Sequence, residues 1–368
     1  MVFNPDISKQ AVEVIFSART DKPLHRPLSF NGVPVARRPD TKHLGLYLDE
    51  KLSFSKHIKE NNLKAMNGIS LLKFLSKYVP KDILNLSYKL YVRPHLDYGD
   101  VIYHNQRADL MEYLEQVQYK AALVVSGCWQ GTSRERLYRE LGWEHLSDRR
   151  WFRRLTIFYK IINGMTPDYL RNHLPSQRTL PYNMRSHRDF DNPNRRTARY
   201  SNSFFPHCIS EWENLGNEIK TLPSLSQFKT ALLSFIRPTK CSSFGINDIH
   251  GFKLLTKLRV DFSDLRSHRY SHNFNCVSPI CSCFEEEENN SHFLLRCPRF
   301  SLVRNDLIGN ISASIGSDIS VFPADHLTDI LLYGSNAFNE VTNKLILSET
   351  IKFIRKSKRF DNLEAFLP

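Results

Sequence analysis

Cysteine and histidine crowd into one stretch, Cys281 to Cys297, which reads CSCFEEEENNSHFLLRC. A structural zinc ion takes four sulfur or nitrogen ligands in a tetrahedron, and closing such a site fixes the chain between its ligands. Cys281, Cys283, His292 and Cys297 offer that set as Cys-x-Cys-x8-His-x4-Cys. The step from His292 to Cys297 suits two ligands leaving one turn of a helix, with Phe293 and Leu294 turned to a core. The first pair is tighter than the usual knuckle, which has two intervening residues. Cys276 can replace Cys281 or Cys283 in it. The competing reading is a group of small buried thiols, with His292 at the surface and Glu285, Glu286, Glu287 and Glu288 as a solvated acidic turn. Four such ligands within 17 residues are hard to reach by chance, so structural zinc is the expectation.

The chain has seven cysteines, an odd number, and four of them lie between Cys276 and Cys297. A secreted disulfide framework would spread them in pairs. The N-terminus shows no basic segment followed by an apolar one, so reduced thiols in an intracellular setting, nuclear or cytoplasmic, are expected. No apolar run reaches the ~20 residues of a membrane helix. The net charge of +13 suggests an acidic partner, most often nucleic acid. Residues 131–200 carry 15 Lys or Arg against 7 Asp or Glu, so much of that charge is concentrated there. Arg134, Arg136 and Arg139, then Arg149, Arg150, Arg153 and Arg154, then Arg195, Arg196 and Arg199 are candidate phosphate contacts, because the guanidinium fork donates two bonds at once. Trp151 and Phe158 among them read as core of their own helix rather than as base-stacking platforms.

Periodicity predicts a mainly α protein with a small N-terminal β portion. Glu13–Ser17 reads as a strand, and Leu28–Val35 as a hairpin turning at Asn31-Gly32. His43–Asp49 also reads as a strand, with Gly45 marking a bulge or a close backbone approach. From Ser55 the apolar spacing becomes helical, through Ile58, Leu63, Met66, Ile69 and Leu72. Pro80 starts a helix carrying Ile83, Leu84, Leu86, Tyr88 and Leu90. Leu110, Leu114, Val117 and Ala121 mark one face of the next, with Gly127 as its cap. Ser133–Gly142 and Leu146–Gly164 follow, the second turning Trp151, Leu155, Phe158 and Ile162 inward. Residues 165–207 are irregular, and Cys208–Leu215 and Ser224–Ile236 are helical. Beyond a linker near residue 240, helices are expected around Ser301–Ser312, Asp325–Leu332 and Asn336–Lys356. The expected divisions are 1–55, 56–164, 165–240 and 241–368.

Asp97 and Asp100, in HLDYGDV, are close enough for acid–base work, but such residues more often cap helix ends and satisfy turn amides. No Gly-rich phosphate loop, nucleophile elbow or His-Glu-x-x-His motif occurs.

Several stretches, taken in order, resemble a known family. They are FNPDISKQAVEVIFS, KHLGLYLDEKLSFSKHI, YKLYVRPHLDYGDVIYHN, the long run LEQVQYKAALVVSGCWQGTSRERLYRELGWEHLSDRRWFRRLTIFYKI, YSNSFFPHCISEWENL and the Cys/His cluster. Together they are similar to the C-terminal half of reverse transcriptases from jockey-like non-LTR (LINE-type) retrotransposons. The resemblance implies that residues 1–55 are the end of a polymerase palm, with Leu44 and Gly45 at the primer-grip positions. It implies that the helices from Ser55 form a thumb that tracks a template–primer duplex of RNA and DNA. It also implies that the Cys/His cluster is a zinc knuckle. The family's catalytic aromatic-x-Asp-Asp turn, whose carboxylates hold Mg²⁺, is missing, since no two aspartates are adjacent in this sequence. Asp49, Asp97 and Asp100 stand in the wrong context to replace it. The expectation is therefore a truncated element with no catalytic residues, in which Mg²⁺ would serve only the full-length family enzyme. The rival, from another class, is a host-retained, non-enzymatic protein that binds nucleic acid or a protein partner.

Overall fold

Ser55 ends the extended part of the chain and begins the helical part. The computed structural model describes residues 12–17, 26–30, 33–103, 107–176, 189–190, 198–236 and 246–361. Its strands are short and N-terminal. Val12–Glu13 pairs in parallel with Ala36–Arg37, so the strand expected over Glu13–Ser17 is confined to its beginning. Ser29–Phe30 pairs antiparallel with Val33–Pro34, within the hairpin expected over Leu28–Val35, whose expected turn residues Asn31 and Gly32 lie outside the described residues. Asp40–His43 and Leu46–Asp49 form a second hairpin in which His43 faces Leu46. His43–Asp49 is thus not one strand, and Leu44 and Gly45 are its two-residue turn. Both have positive φ, 45° and 84°, as a turn matched to strand twist requires.

Past the hairpin, Asp49 accepts hydrogen bonds from the backbone amides of Lys51, Ser53 and Phe54. Those bonds turn the chain into the helix Ser55–Leu75. The described chain then packs as two compact units whose segments interleave in sequence. The first takes residues 1–66, 94–117 and 146–236; the second takes 67–93, 118–145 and 237–368.

The first unit is centred on the helix Leu146–Ile162. Leu155, Phe158 and Tyr159 project from one side of it, as the 3.6-residue period predicts, onto the helices Phe204–Glu213 and Leu225–Ile236. Phe158 meets Trp212 edge-on at 5.6 Å and Tyr159 stacks on Phe228 at 4.3 Å. Each fully buried aromatic of this kind contributes roughly 1.5–3 kcal/mol. The irregular stretch after Ile162 contains the short turn Asp168–Arg171.

In the second unit, the helix Lys81–Tyr91 buries Leu84 and Tyr88 together with Asn85 and Ser87, and leaves Ile83, Leu86 and Leu90 exposed. Partners on the inner side explain this choice. The Tyr88 hydroxyl donates to Gln118 Oε1 at 2.7 Å, its ring stacks on Trp143 at 3.6 Å, and Trp143 Nε1 donates to Asn85. The helix Arg134–Leu141 is capped by Ser133 and closed by left-handed Gly142, as expected. Its Glu140 is buried against Lys81 Nζ at 2.6 Å and Arg259 Nη1 at 2.9 Å. The C-terminal core gathers around the helix Glu340–Lys356, which packs on Ile249–Arg259, Ser301–Ile315 and Ala324–Tyr333. None of the helices among the described residues is long and apolar enough to cross a membrane.

Candidate metal centre

A narrow turn presents the first two cysteines. Cys281 N donates to Glu286 O at 2.8 Å and Phe284 N to Cys281 O at 2.9 Å, while Ile280 and Glu287 form an antiparallel bridge. Phe284 reverses the chain at φ 67°. The other two ligands come from a single π-type turn, His292–Arg296. Asn289 Oδ1 accepts from His292 N to start it, and Cys297 N donates to His292 O at 2.7 Å to close it. A π turn spans one residue more than an α turn, and single π turns often mark functional positions. Here the wider turn brings residues five apart to the same side. Phe293 and Leu294 are fully buried, as expected, and Phe293 packs on Phe300, Phe353 and Phe360. Arg304 donates to the carbonyls of Leu294 and Cys297, fixing the end of the turn.

These two pieces bring one sulfur or nitrogen atom each from Cys281, Cys283, His292 and Cys297 within 4.8 Å of one another. Cys281 Sγ lies 3.8 Å from Cys297 Sγ, and Cys283 Sγ lies 3.3 Å from His292 Nε2. A zinc tetrahedron with bonds of about 2.3 Å to sulfur and 2.0–2.1 Å to nitrogen has edges of roughly 3.5–3.8 Å. The four groups can therefore hold a metal ion such as zinc with little rearrangement. Cys276 stands apart from them, donating to Ser278 O. Burial pushes the Cys281 thiol up to about 12 and raises Cys297 as well. Cys283 is held below its ordinary value despite burial, by backbone amides and the neighbouring thiols. Thiol ligands give up their protons when they take a cation, so metal uptake by this set would release protons.

The acidic run is not a solvated turn throughout. Glu285 and Glu287 face solvent, whereas Glu286 is half-buried and Glu288 is only 1% exposed. Sequence reasoning missed both inward carboxylates. Glu286 accepts from Arg296 Nε at 2.9 Å. Glu288 accepts two bonds from Arg359 and one from Arg266 N. Arg296, Arg299 and Arg304, the flanking cations, are all engaged locally: Arg299 donates to Ser282 Oγ and Arg304 to the two carbonyls already described.

The other sequence candidates fall elsewhere. Leu44 and Gly45 form the tip of the Asp40–Asp49 hairpin, and Leu44 is 80% exposed. The Tyr98 hydroxyl donates to Leu44 O at 2.6 Å, and a Cβ added at Gly45 would lie 2.6 Å from that oxygen. The close backbone approach expected at Gly45 is thus an approach to Tyr98. Arg149 donates to Asp97, Arg153 bridges Asp97 and Asp100, and Arg154 grips Glu211 with two nitrogens. Arg150 is buried beside Tyr103 and Asp100. Although burial disfavours the charge, the Arg149 and Arg153 guanidiniums hold Asp97 below its ordinary value. Asp100, more dominated by burial and facing Asp97, rises to about 6. Both aspartates are internal counter-ions of these arginines. Arg134 lies over the Tyr119 ring, Arg136 pairs with Asp261 and Arg139 is exposed. Arg195 and Arg196 lie outside the described residues, as does the side chain of Arg199.

With that geometry in view, comparison with known proteins finds one informative similarity. The chain is 27% identical, over 138 residues, to the Probable RNA-directed DNA polymerase from transposon X-element of Drosophila melanogaster. The matched stretch is 36% of this chain and 15% of that protein, so the chain spans a small part of its relative's length. The similarity supports a relation to transposon reverse transcriptases. No protein-family model matches, and no solved structure matches.

Proposed function

We propose that this chain is a nucleic-acid-binding part of a jockey-like, LINE-type non-LTR retrotransposon reverse transcriptase. In this reading the helical region is thumb-like, the Cys281–Cys297 segment is a zinc knuckle, and Leu44 and Gly45 are primer-grip-like. The observation that carries the reading is the similarity to the X-element protein, named as a probable RNA-directed DNA polymerase. The Cys₃His geometry and the +13 charge agree with it. With no adjacent aspartates to hold Mg²⁺, these residues do not catalyse nucleotide addition by themselves. Binding of an RNA–DNA duplex should weaken steeply between low and physiological salt, because released counter-ions drive phosphate contacts. Salt-insensitive binding, or none, would exclude the nucleic-acid reading. Template-dependent primer extension by this chain alone would overturn the claim of inactivity.

A second reading, a non-enzymatic interaction protein, is favoured by one observation. Ile83, Leu86 and Leu90 form an exposed apolar stripe on the helix Lys81–Tyr91, the pattern of a helix that meets another apolar surface.

A further inference from the structure

We propose that Glu286 is a positioning residue for His292: its carboxylate accepts a hydrogen bond from the Nδ1–H of the imidazole and thereby presents Nε2 to the metal. The inference rests on the metal-centre reading above and concerns a residue outside the ligand set.

A neutral imidazole carries one N–H and one lone pair. His292 Nε2 points at Cys283 Sγ, 3.3 Å away, so the metal-facing nitrogen must be the lone-pair one and Nδ1 must carry the hydrogen. His292 is fully buried, and Nδ1 makes no hydrogen bond. A buried donor without an acceptor is costly. The nearest carboxylate is Glu286, whose Oε2 lies 3.7 Å from Nδ1. That is longer than a hydrogen bond, and a small rotation of this half-exposed side chain closes it.

The surroundings hold Glu286 in place for that rotation. Arg296 Nε donates to both of its oxygens, at 2.9 and 3.2 Å, and Arg296 Nη1 donates to Ser291 Oγ at 2.8 Å. Arg296 belongs to the same π turn as His292, so the carboxylate and the imidazole are fastened to one element. The backbone of Glu286 adds a second tie, since its carbonyl accepts from Cys281 N. A partner that fixes the tautomer and ring plane of a metal-bound histidine typically changes metal affinity 10–100-fold. Glu285 and Glu287, exposed on either side, carry the same charge without facing His292, and they provide internal controls.

The test measures zinc affinity of the full 368-residue chain by competition with a chromophoric chelator. Cobalt(II) absorption serves as a check that the thiolates still coordinate. Glu286→Ala is expected to weaken zinc binding about 10–100-fold while the cobalt–thiolate band persists. Glu286→Gln, which keeps the shape and an acceptor oxygen, is expected to lose less. Glu285→Ala and Glu287→Ala are expected to match the wild type. Equal affinity of Glu286→Ala and wild type would overturn the proposal, as would an equal loss from Glu285→Ala, which would make the effect one of net charge. A wild-type chain that takes up no zinc would instead remove the metal-centre reading, and the proposal with it.

Discussion

Arg359 grips Glu288 with two nitrogens, each 2.6 Å from a carboxylate oxygen, across 71 positions of sequence. The same guanidinium donates to Asp264 O, while Glu288 receives Arg266 N and, through its carbonyl, Ser267 Oγ. The acidic loop of the metal centre, the start of the helix Arg266–Ser271 and the residues after Lys356 therefore meet at one ion pair. Removing one member of a buried pair strands the other charge, at a cost of about 3–5 kcal/mol. Arg359→Met should destabilise by an amount toward the low end of that range, since Arg359 remains partly exposed. The double variant Arg359→Met/Glu288→Gln should recover part of the loss. Urea denaturation of the three proteins measures this, and a double variant worse than Arg359→Met would refute the stranded-charge account.

Metal removal should be felt in the core. Structural zinc binding contributes directly to folding free energy, and the centre here shares its turn with Phe293 and Leu294. Stripping the metal with a chelator should lower the melting temperature and expose the amides of residues 292–297 to hydrogen exchange. Cys281→Ser and His292→Ala should show the stripped behaviour from the outset. Unchanged exchange in the stripped protein would show that the sulfurs are ordinary core.

Asp100 gives a pH dependence with a definite sign. Its folded pKa, about 6, lies above the ordinary aspartate value of 3.8, so the folded state binds the proton more tightly than the unfolded one. The resulting stabilisation is complete below about pH 4 and is lost as pH rises through about 6. Asp97, held low, acts in the opposite sense, its contribution disappearing as pH falls below the ordinary carboxylate range. Asp100→Asn should flatten the stability profile between pH 4 and 6 and cost little at pH 7, because Arg153 keeps Asp97. A large loss at pH 7, read from thermal melts, would mean that the Arg153–Asp100 attraction outweighs burial.

The hairpin tip separates two neighbouring residues. Gly45→Ala should destabilise by roughly 1–3 kcal/mol, since φ is 84° and the new Cβ meets the Tyr98 hydroxyl. Leu44→Asn should be neutral or stabilising, because asparagine tolerates the left-handed region better than leucine. Paired melts check both, and a stabilised Gly45→Ala would contradict the turn geometry.

Much of this architecture was legible in the sequence where a local rule decides. The stripe Leu155–Phe158 and the stops at Gly127, Gly142 and Gly164 follow from the helical period and from glycine's access to positive φ. The cluster of Cys281, Cys283, His292 and Cys297 was legible because these residue types are rare and their spacing is short. Legibility failed where the partner is distant. Ile83, Leu86 and Leu90 look as core-like as Leu84, and only the remote Gln118 and Trp143 settle which face turns inward. Nothing nearby in sequence names Asp97, Asp100 and Glu211 as the counter-ions of arginines in the helix Leu146–Ile162. Four identical glutamates conceal a division of labour set by remote partners, Arg296 for Glu286 and Arg359 for Glu288.

The π turn between His292 and Cys297 has a mechanical consequence. In an α-helix, with about 100° per residue, side chains five apart point roughly 140° away from each other; the wider turn returns them to one side. A bound cation would hold that widened turn like a wedge. Without it, relaxation toward α geometry would swing Cys297 away and rotate Phe293 against Phe300 and Phe353. On the metal-centre reading, occupancy of the clasp and tightness of the hydrophobic interior would change together, and a probe placed among those phenylalanines would report on the ion without touching it.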